Sequence, residues 1–326
     1  MAMNRPFLIF AMSFLIICQA SPGFAASPSR AVGDDFESGH FDPSGGLYYK
    51  MNREQSTGVV EFETRDVRFG KGALSLSVKP FCEPDNEDCS ERAEVWMKKT
   101  LHAPYEEPVW YAFSIKMADP VPTAKHRYVM AQWKRKILAG AKTSYSPFLA
   151  LRLNKGKFVF TVDSDRLKVL PIGKGERQSG CLTGETWALD RPQDKQTRVL
   201  VSKQPDMSFR DWRNYNGCTS EVKVTQHTSG LPKVTDGWSD FVFFVQTGAQ
   251  GNGRIDIFAN GQHTTTITGK IGHRGQGLGD NQYFKFGPYR AAGRHDNWTI
   301  LYDRFRRGPR CIDVTDAATC ATRKAF

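Results

Sequence analysis

Three short stretches of this sequence place cations, an amide and phenols at alternating positions. Residues 91–97 read Glu-Arg-Ala-Glu-Val-Trp-Met, 128–136 read Tyr-Val-Met-Ala-Gln-Trp-Lys-Arg-Lys, and 282–290 read Gln-Tyr-Phe-Lys-Phe-Gly-Pro-Tyr-Arg. Side chains two apart on a β-strand share a face. The third stretch therefore presents Tyr283, Lys285, Gly287 and Tyr289 on one side, and Phe284, Phe286 and Pro288 on the other. The apolar trio suits a core. The opposite side offers two phenols and an ammonium, with a glycine leaving room for a ligand across the strand. In the first stretch Arg92, Glu94 and Trp96 share a face, with Arg92 and Glu94 placed to pair. In the second, Gln132 and Lys134 share a face, backed by Ala131 and Trp133. A guanidinium holds a carboxylate in a planar fork. A phenol with a pKa of about 10 carries protons once neighbouring cations pull that value down. These residue types suit capture of an anion with proton transfer beside it. Two simpler readings exist: tyrosines that merely cover a sheet, and a weak structural ion pair between Arg92 and Glu94.

The segments that must position these residues read as strands. Short β-rich runs at 47–51, 58–64, 73–79, 108–117, 147–153, 157–162, 238–246, 254–259 and 298–305 are separated by Gly, Asn and Asp turns, and helical periodicity is almost absent. Asn154-Lys155-Gly156 marks a hairpin, and 248–253 reads as a turn. From about 163 to 236 the pattern dissolves into polar sequence, read as a long insertion with one or two strands and little core, a lid or rim of a groove. The expectation is an all-β antiparallel sandwich, a jelly roll with one concave face.

Residues 1–25 read as a secretory signal: Arg5 is the lone charge, an apolar run follows, and small residues stand near Ala25. That leaves 26–326 as a single domain, ending in a basic tail over 306–326. The formal charge of +11 becomes +10 when Arg5 leaves with the signal. A basic exported protein meets polyanions, and its field speeds their encounter. Acidic polysaccharide fits that setting; nucleic acid does not, and no second apolar run is long enough for a membrane. Six cysteines remain in the mature chain, an even number that favours disulfides. Fifteen pairings are open. Short loops Cys82–Cys89 and Cys311–Cys320 are expected, leaving Cys181–Cys218 to tie the insertion. The acidic loop between Cys82 and Cys89 lacks an EF-hand pattern, so calcium stays an open option and no cofactor is required. The protein is read as a monomer.

Together the segments resemble the jelly-roll polysaccharide lyases, in the group of glucuronan lyases and heparin lyase I, related to alginate lyases. The resembling residues are Glu-Arg-Ala-Glu-Val at 91–95, Ala-Gln-Trp-Lys at 131–134 and Trp-Ser-Asp-Phe-Val-Phe at 238–243. Gly-Arg-Ile-Asp-Ile-Phe-Ala-Asn-Gly at 253–261 and Tyr-Phe-Lys-Phe-Gly-Pro-Tyr at 283–289 complete the set. In the alginate-lyase relatives an Arg-x-Glu strand, a Gln-x-His strand and a Tyr-Phe-Lys-x-Gly-x-Tyr strand line the cleft. The resemblance implies Arg92 and Gln132 at a uronate carboxylate, Tyr289 as the proton-transferring phenol and Lys285 as a supporting cation. Tyr283, Glu94 and Trp96 would line the substrate. Lys134 stands where the family has histidine. It can neutralise a carboxylate, but to act as a base its pKa must fall through burial or nearby cations. His126, six residues before Gln132, is a candidate substitute, with a solvent-facing surface histidine as the plainer reading.

The reaction implied is β-elimination. A base removes the proton at C5 of a uronate and the bond from C4 to the bridging oxygen breaks. Donors around the carboxylate must stabilise the charge that develops. Two alternatives use the same fold: a non-catalytic polysaccharide-binding protein, and a glycoside hydrolase, which needs two acidic residues facing the cleft.

Overall fold

The computed structural model describes residues 30–324, except 42–46, 54–56, 84–85, 87–88 and 208–214. The signal-like segment 1–25 therefore lies outside the described residues, as does most of the acidic loop between Cys82 and Cys89.

Twenty strands are formed by the described residues. The first ten are β1 (Val32–Asp34), β2 (Tyr48–Arg53), β3 (Gly58–Glu63), β4 (Ala73–Val78), β5 (Ser90–Met97), β6 (Ala103–Pro104), β7 (Val109–Met117), β8 (Tyr128–Ile137), β9 (Leu149–Asn154) and β10 (Lys157–Asp165). The rest are β11 (Leu170–Pro171), β12 (Thr186–Arg191), β13 (Gln196–Lys203), β14 (Gly217–Thr219), β15 (Val222–Gln226), β16 (Ser239–Gln246), β17 (Gly248–Ala259), β18 (Gln262–Ile271), β19 (Leu278–Ala291) and β20 (Trp298–Gly308). They make two antiparallel sheets, the sandwich expected from the alternating pattern. The first has nine strands, β15-β18-β17-β16-β7-β20-β4-β3 with β1 beside β20. The second has eleven, β11-β14-β12-β13-β10-β9-β8-β19-β5-β2 with β6 beside β19.

Alternation dictates what fills the space between the sheets. Phe284 and Phe286 of β19 and Trp133 of β8 point inward from the second sheet, meeting Phe113 of β7, Phe243 of β16 and Tyr302 of β20 from the first. Trp133 lies 4.7 Å from Phe284 and 4.9 Å from Phe243, ring centre to ring centre. Burying each such ring contributes about 1.5–3 kcal/mol. The Tyr302 hydroxyl satisfies itself across the layer by donating to the Met130 carbonyl at 2.7 Å. Every residue on β8 and β19 that follows this inward row by one position is therefore forced outward.

Two expectations are corrected here. Residues 163–236 are not an insertion with little core. They contribute β11–β15; β12, β13 and β14 extend the second sheet, β15 borders the first, and Val199 and Val201 enter the main core. The sequence is misleading because one face of these strands carries polar groups. The turn expected at 248–253 is instead absorbed into β17, whose register with β18 shifts between Gly248 and Gly253.

All three disulfides join as expected: Cys82–Cys89, Cys181–Cys218 and Cys311–Cys320. The second anchors β14, in which Cys218 is fully buried, to the segment leading into β12. Among the described residues no helix is long and apolar enough to cross a membrane, and no group of His, Cys, Asp or Glu side chains is arranged to hold a metal ion.

Candidate active site

The three stretches that carry the polar residues are neighbouring strands, with β19 between β8 and β5. The register places Tyr289 opposite Arg92, and Lys285 opposite both Trp96 and Gln132. Tyr283 lies opposite Lys134. All seven side chains leave the second sheet on the face away from the core, because their sequence neighbours Trp133, Phe284 and Phe286 point inward.

They form two levels. The lower one is sealed: Glu94, Gln132 and Lys285 are 1%, 3% and 3% exposed. The Glu94 carboxylate accepts from Gln132 Nε2 through one oxygen and from Lys285 Nζ, at 2.7 Å, through the other. Lys285 also lies 4.5 Å from the centre of the Trp96 ring. A buried charge persists only when paired and hydrogen-bonded, and here each charge has its counter-charge. Glu94 therefore does not stand in the open as a substrate contact. It holds the ammonium and the amide that flank it. Tyr283 is buried as well, stacked between Trp96 at 5.6 Å and His102 at 5.2 Å.

The upper level is partly open and consists of Arg92, Trp96, Lys134 and Tyr289. The Arg92 guanidinium donates to Ser90 Oγ at 3.1 Å and lies 4.1 Å from the centre of the Tyr289 ring. Arg127, from the turn before β8, approaches the same ring at 5.1 Å. Two cations thus flank one phenol ring. Lys134 has no hydrogen bond or ion pair among the described residues. Burial pushes its amine down to about 8; the Lys285 and Arg92 cations add to that fall, while Glu94 and Asp163 oppose it.

Gly287 has a reason other than leaving space for a ligand. Its φ is +125°, a region that side chains rarely adopt, and a Cβ there would sit 2.1 Å from the Ala93 carbonyl oxygen of β5. The glycine lets β19 press against β5 and carries the chain from Lys285 to Tyr289. His126 is not beside Lys134. Its Nε2 lies 2.9 Å from the Ala291 carbonyl, which makes that nitrogen the proton donor, and its ring rests edge-on to Tyr128.

Several residues of this face escaped the sequence reading. Arg127, Arg152 of β9 and Arg198 of β13 lie along the same side of the sheet. Asp163 of β10 is fully buried and bonded to Arg198 and Arg191. The only available signal was period two in β9, β10 and β13, which becomes informative once their order in the sheet is known. A buried ion pair, Glu91 with Arg290, ties β5 to β19 from the core side. Its carboxylate also accepts from the Phe81 and Cys82 amides.

Chemically, this surface can hold an anion and move a proton through Tyr289. Among the described residues, the carboxylates beside these groups, Glu94 and Asp163, are buried and occupied by cations. Neither is free to pair with a second acid across a glycosidic bond, which a hydrolase requires.

The family model described as Polysaccharide lyase matches residues 36–306 of this chain. No curated protein matches. Among solved structures, an endo-β-1,4-glucuronan lyase from the fungus Trichoderma reesei is similar in fold, with a TM-score of 0.54 at 14% identity, over 87% of this chain and 97% of that one. The alginate lyase Aly36B has a TM-score of 0.40 at 11% identity, over 86% of this chain and 96% of that one.

Proposed function

Since the chain belongs to the polysaccharide lyase family, we propose that its substrate is a uronic-acid-containing polysaccharide, cleaved by β-elimination with Tyr289 as the proton carrier. The observation that supports this is the Tyr289 phenol beside two guanidiniums, Arg92 at 4.1 Å and Arg127 at 5.1 Å. The similar glucuronan lyase is named for a uronan, in keeping with so cationic a face.

The residues divide the work as follows. Arg92 and Lys134 neutralise the uronate carboxylate, which makes the C5 proton more acidic. In the free protein the Lys134 amine is poised near 8. A carboxylate beside it favours the ammonium form, so in the complex Lys134 acts as a cation. Tyr289, as phenolate, takes the C5 proton. The electron pair forms the C4–C5 double bond, the C4–O bond breaks, and the same phenol returns its proton to the leaving oxygen. Glu94 and Gln132 position Lys285 below this site without touching the reacting atoms.

Tyr289→Phe removes the proton carrier and keeps the ring. It should abolish the 4,5-unsaturated, ultraviolet-absorbing product on every uronan tried, with the fold unchanged by circular dichroism. Product formation close to the unmodified rate would end the proposal. Export to the periplasm or medium is proposed with it, from the signal-like residues 1–25 and the three disulfides.

A further inference from the structure

Beside Tyr289 the groove face sinks into a cavity of about 410 Å³ whose lining includes Lys125, Arg127, Asn154, Arg152, Thr161 and Arg198. Among the described residues no aspartate or glutamate lines it. Arg127 belongs to both places, since it also approaches the Tyr289 ring at 5.1 Å. The register connects them: Tyr289 lies opposite Val129, and Val129 opposite Arg152. Arg152 is thus two strand spacings from Tyr289, about 10 Å across the sheet.

Arg152 is the residue that asks for a ligand. Its side chain is half-buried, and its one hydrogen bond among the described residues runs from Nε to Thr161 Oγ1 at 2.9 Å. It makes no ion pair among the described residues. Asp163, whose charge acts on it, is engaged by Arg198 and Arg191. Burial, reinforced by the Arg198 charge, pushes the Arg152 guanidinium down to about 9. A half-buried guanidinium whose terminal amino groups make no hydrogen bond among the described residues presents two parallel donors that suit a planar two-oxygen anion.

We infer that this cavity is a second anion subsite, which receives the acidic group of a neighbouring sugar while Arg92 and Lys134 hold the carboxylate of the sugar being cleaved. The inference rests on the reading of this face as a lyase groove and adds a selectivity to it: the protein favours chains with acidic groups on successive sugars. The group recognised is a carboxylate of an adjacent uronate or a sulfate ester at the same position.

The test uses the full chain, with Arg152→Gln, Arg152→Lys and the surface variant Lys125→Gln, each checked for unchanged thermal unfolding. Product formation is followed on polyglucuronate, on an unsulfated alternating uronate–amino sugar chain, and on its sulfated form. Loss of a charge-assisted contact corresponds to about a tenfold to hundredfold fall in kcat/KM. That fall is expected for Arg152→Gln on polyglucuronate, mainly through KM, with little change on the unsulfated alternating chain. Arg152→Lys should recover part of it and Lys125→Gln should lose a smaller part. An equal dependence on the sulfated chain would assign a sulfate as the second anion, and its absence a carboxylate. Arg152→Gln and Lys125→Gln cleaving polyglucuronate like the unmodified protein would overturn the subsite while leaving the lyase reading intact. Calorimetric titration with oligoglucuronate separates the converse case. Binding that weakens in Arg152→Gln, with no product from any chain, supports the subsite and refutes the lyase reading.

Discussion

The Lys285 ammonium and the Glu94 carboxylate meet at 2.7 Å, sealed from solvent directly beneath the partly open Arg92, Lys134 and Tyr289. They stand 191 residues apart in the chain. Their pairing makes the floor of the groove electrically neutral, so the cations above it set the sign of the surface. Breaking a buried pair from one side leaves an uncompensated charge, which costs about 3–5 kcal/mol. Glu94→Ala should lose stability on that scale in urea unfolding. Glu94→Gln combined with Lys285→Met should recover most of the loss, and a double variant no more stable than Glu94→Ala would mean that the pair is not what holds this floor.

Lys134 couples activity to pH. Its cation is present below about 8 and is lost as the pH rises through that value. If it holds the substrate carboxylate, KM should climb above pH 8. Lys134→Gln should raise KM at pH 7 and flatten that limb, which a steady-state pH series would show.

The same lysine should act on stability with the opposite sign. Its pKa is lower folded than unfolded, so between about 8 and its ordinary value of 10.5 the unfolded chain binds more protons. Stability then rises with pH across that window. Lys134→Gln should raise the denaturant midpoint at pH 7 and lose this advantage toward pH 10.5. An unchanged midpoint at pH 7 would show that the amine is not desolvated.

Gly287→Ala should be destabilising by at least about 1–3 kcal/mol from the backbone conformation alone. The Cβ would also press on the Ala93 carbonyl. Because the strained position lies between Lys285 and Tyr289, kcat should fall together with stability. A fully stable and active variant would refute the close approach of β19 to β5.

The Cys181–Cys218 bridge closes a loop with a sequence separation of 37 residues. Restricting a loop of that length in the unfolded chain is worth about 3–4 kcal/mol. Cys181→Ser with Cys218→Ser should lower the thermal midpoint and release β14 from the edge of the second sheet. The variant should also become insensitive to reductant at this locus, which peptide mapping before and after reduction would check.

Much of the site was legible as local pattern. Alternation in 282–290 put Phe284 and Phe286 in the core, with Lys285 and Tyr289 on the opposite face. The same period put Trp133 behind Gln132 and Lys134. Two disulfides joined close neighbours, where a short loop makes encounter easy, and the third pair followed. The expected Arg92–Glu94 partnership shows the limit of this reading. On one strand they share a face, yet the Glu94 oxygens are taken by Gln132 and Lys285 from strands far away in sequence. Residues 163–236 show it again, since polar outward faces hid strands whose inward faces complete both sheets.

The sequence by itself determined the period of each strand, the faces its side chains take, the basic charge and the cysteines available for pairing. These follow from backbone geometry over a few residues and from composition. Only the tertiary structure decided that Glu94 is buried beneath the groove, that Lys134 lies among cations with its amine desolvated, and that Arg152 and Arg198 share a face with Tyr289. Strand order brings these groups together, and that order is set by the packing of the whole sandwich. No window of neighbouring residues contains it.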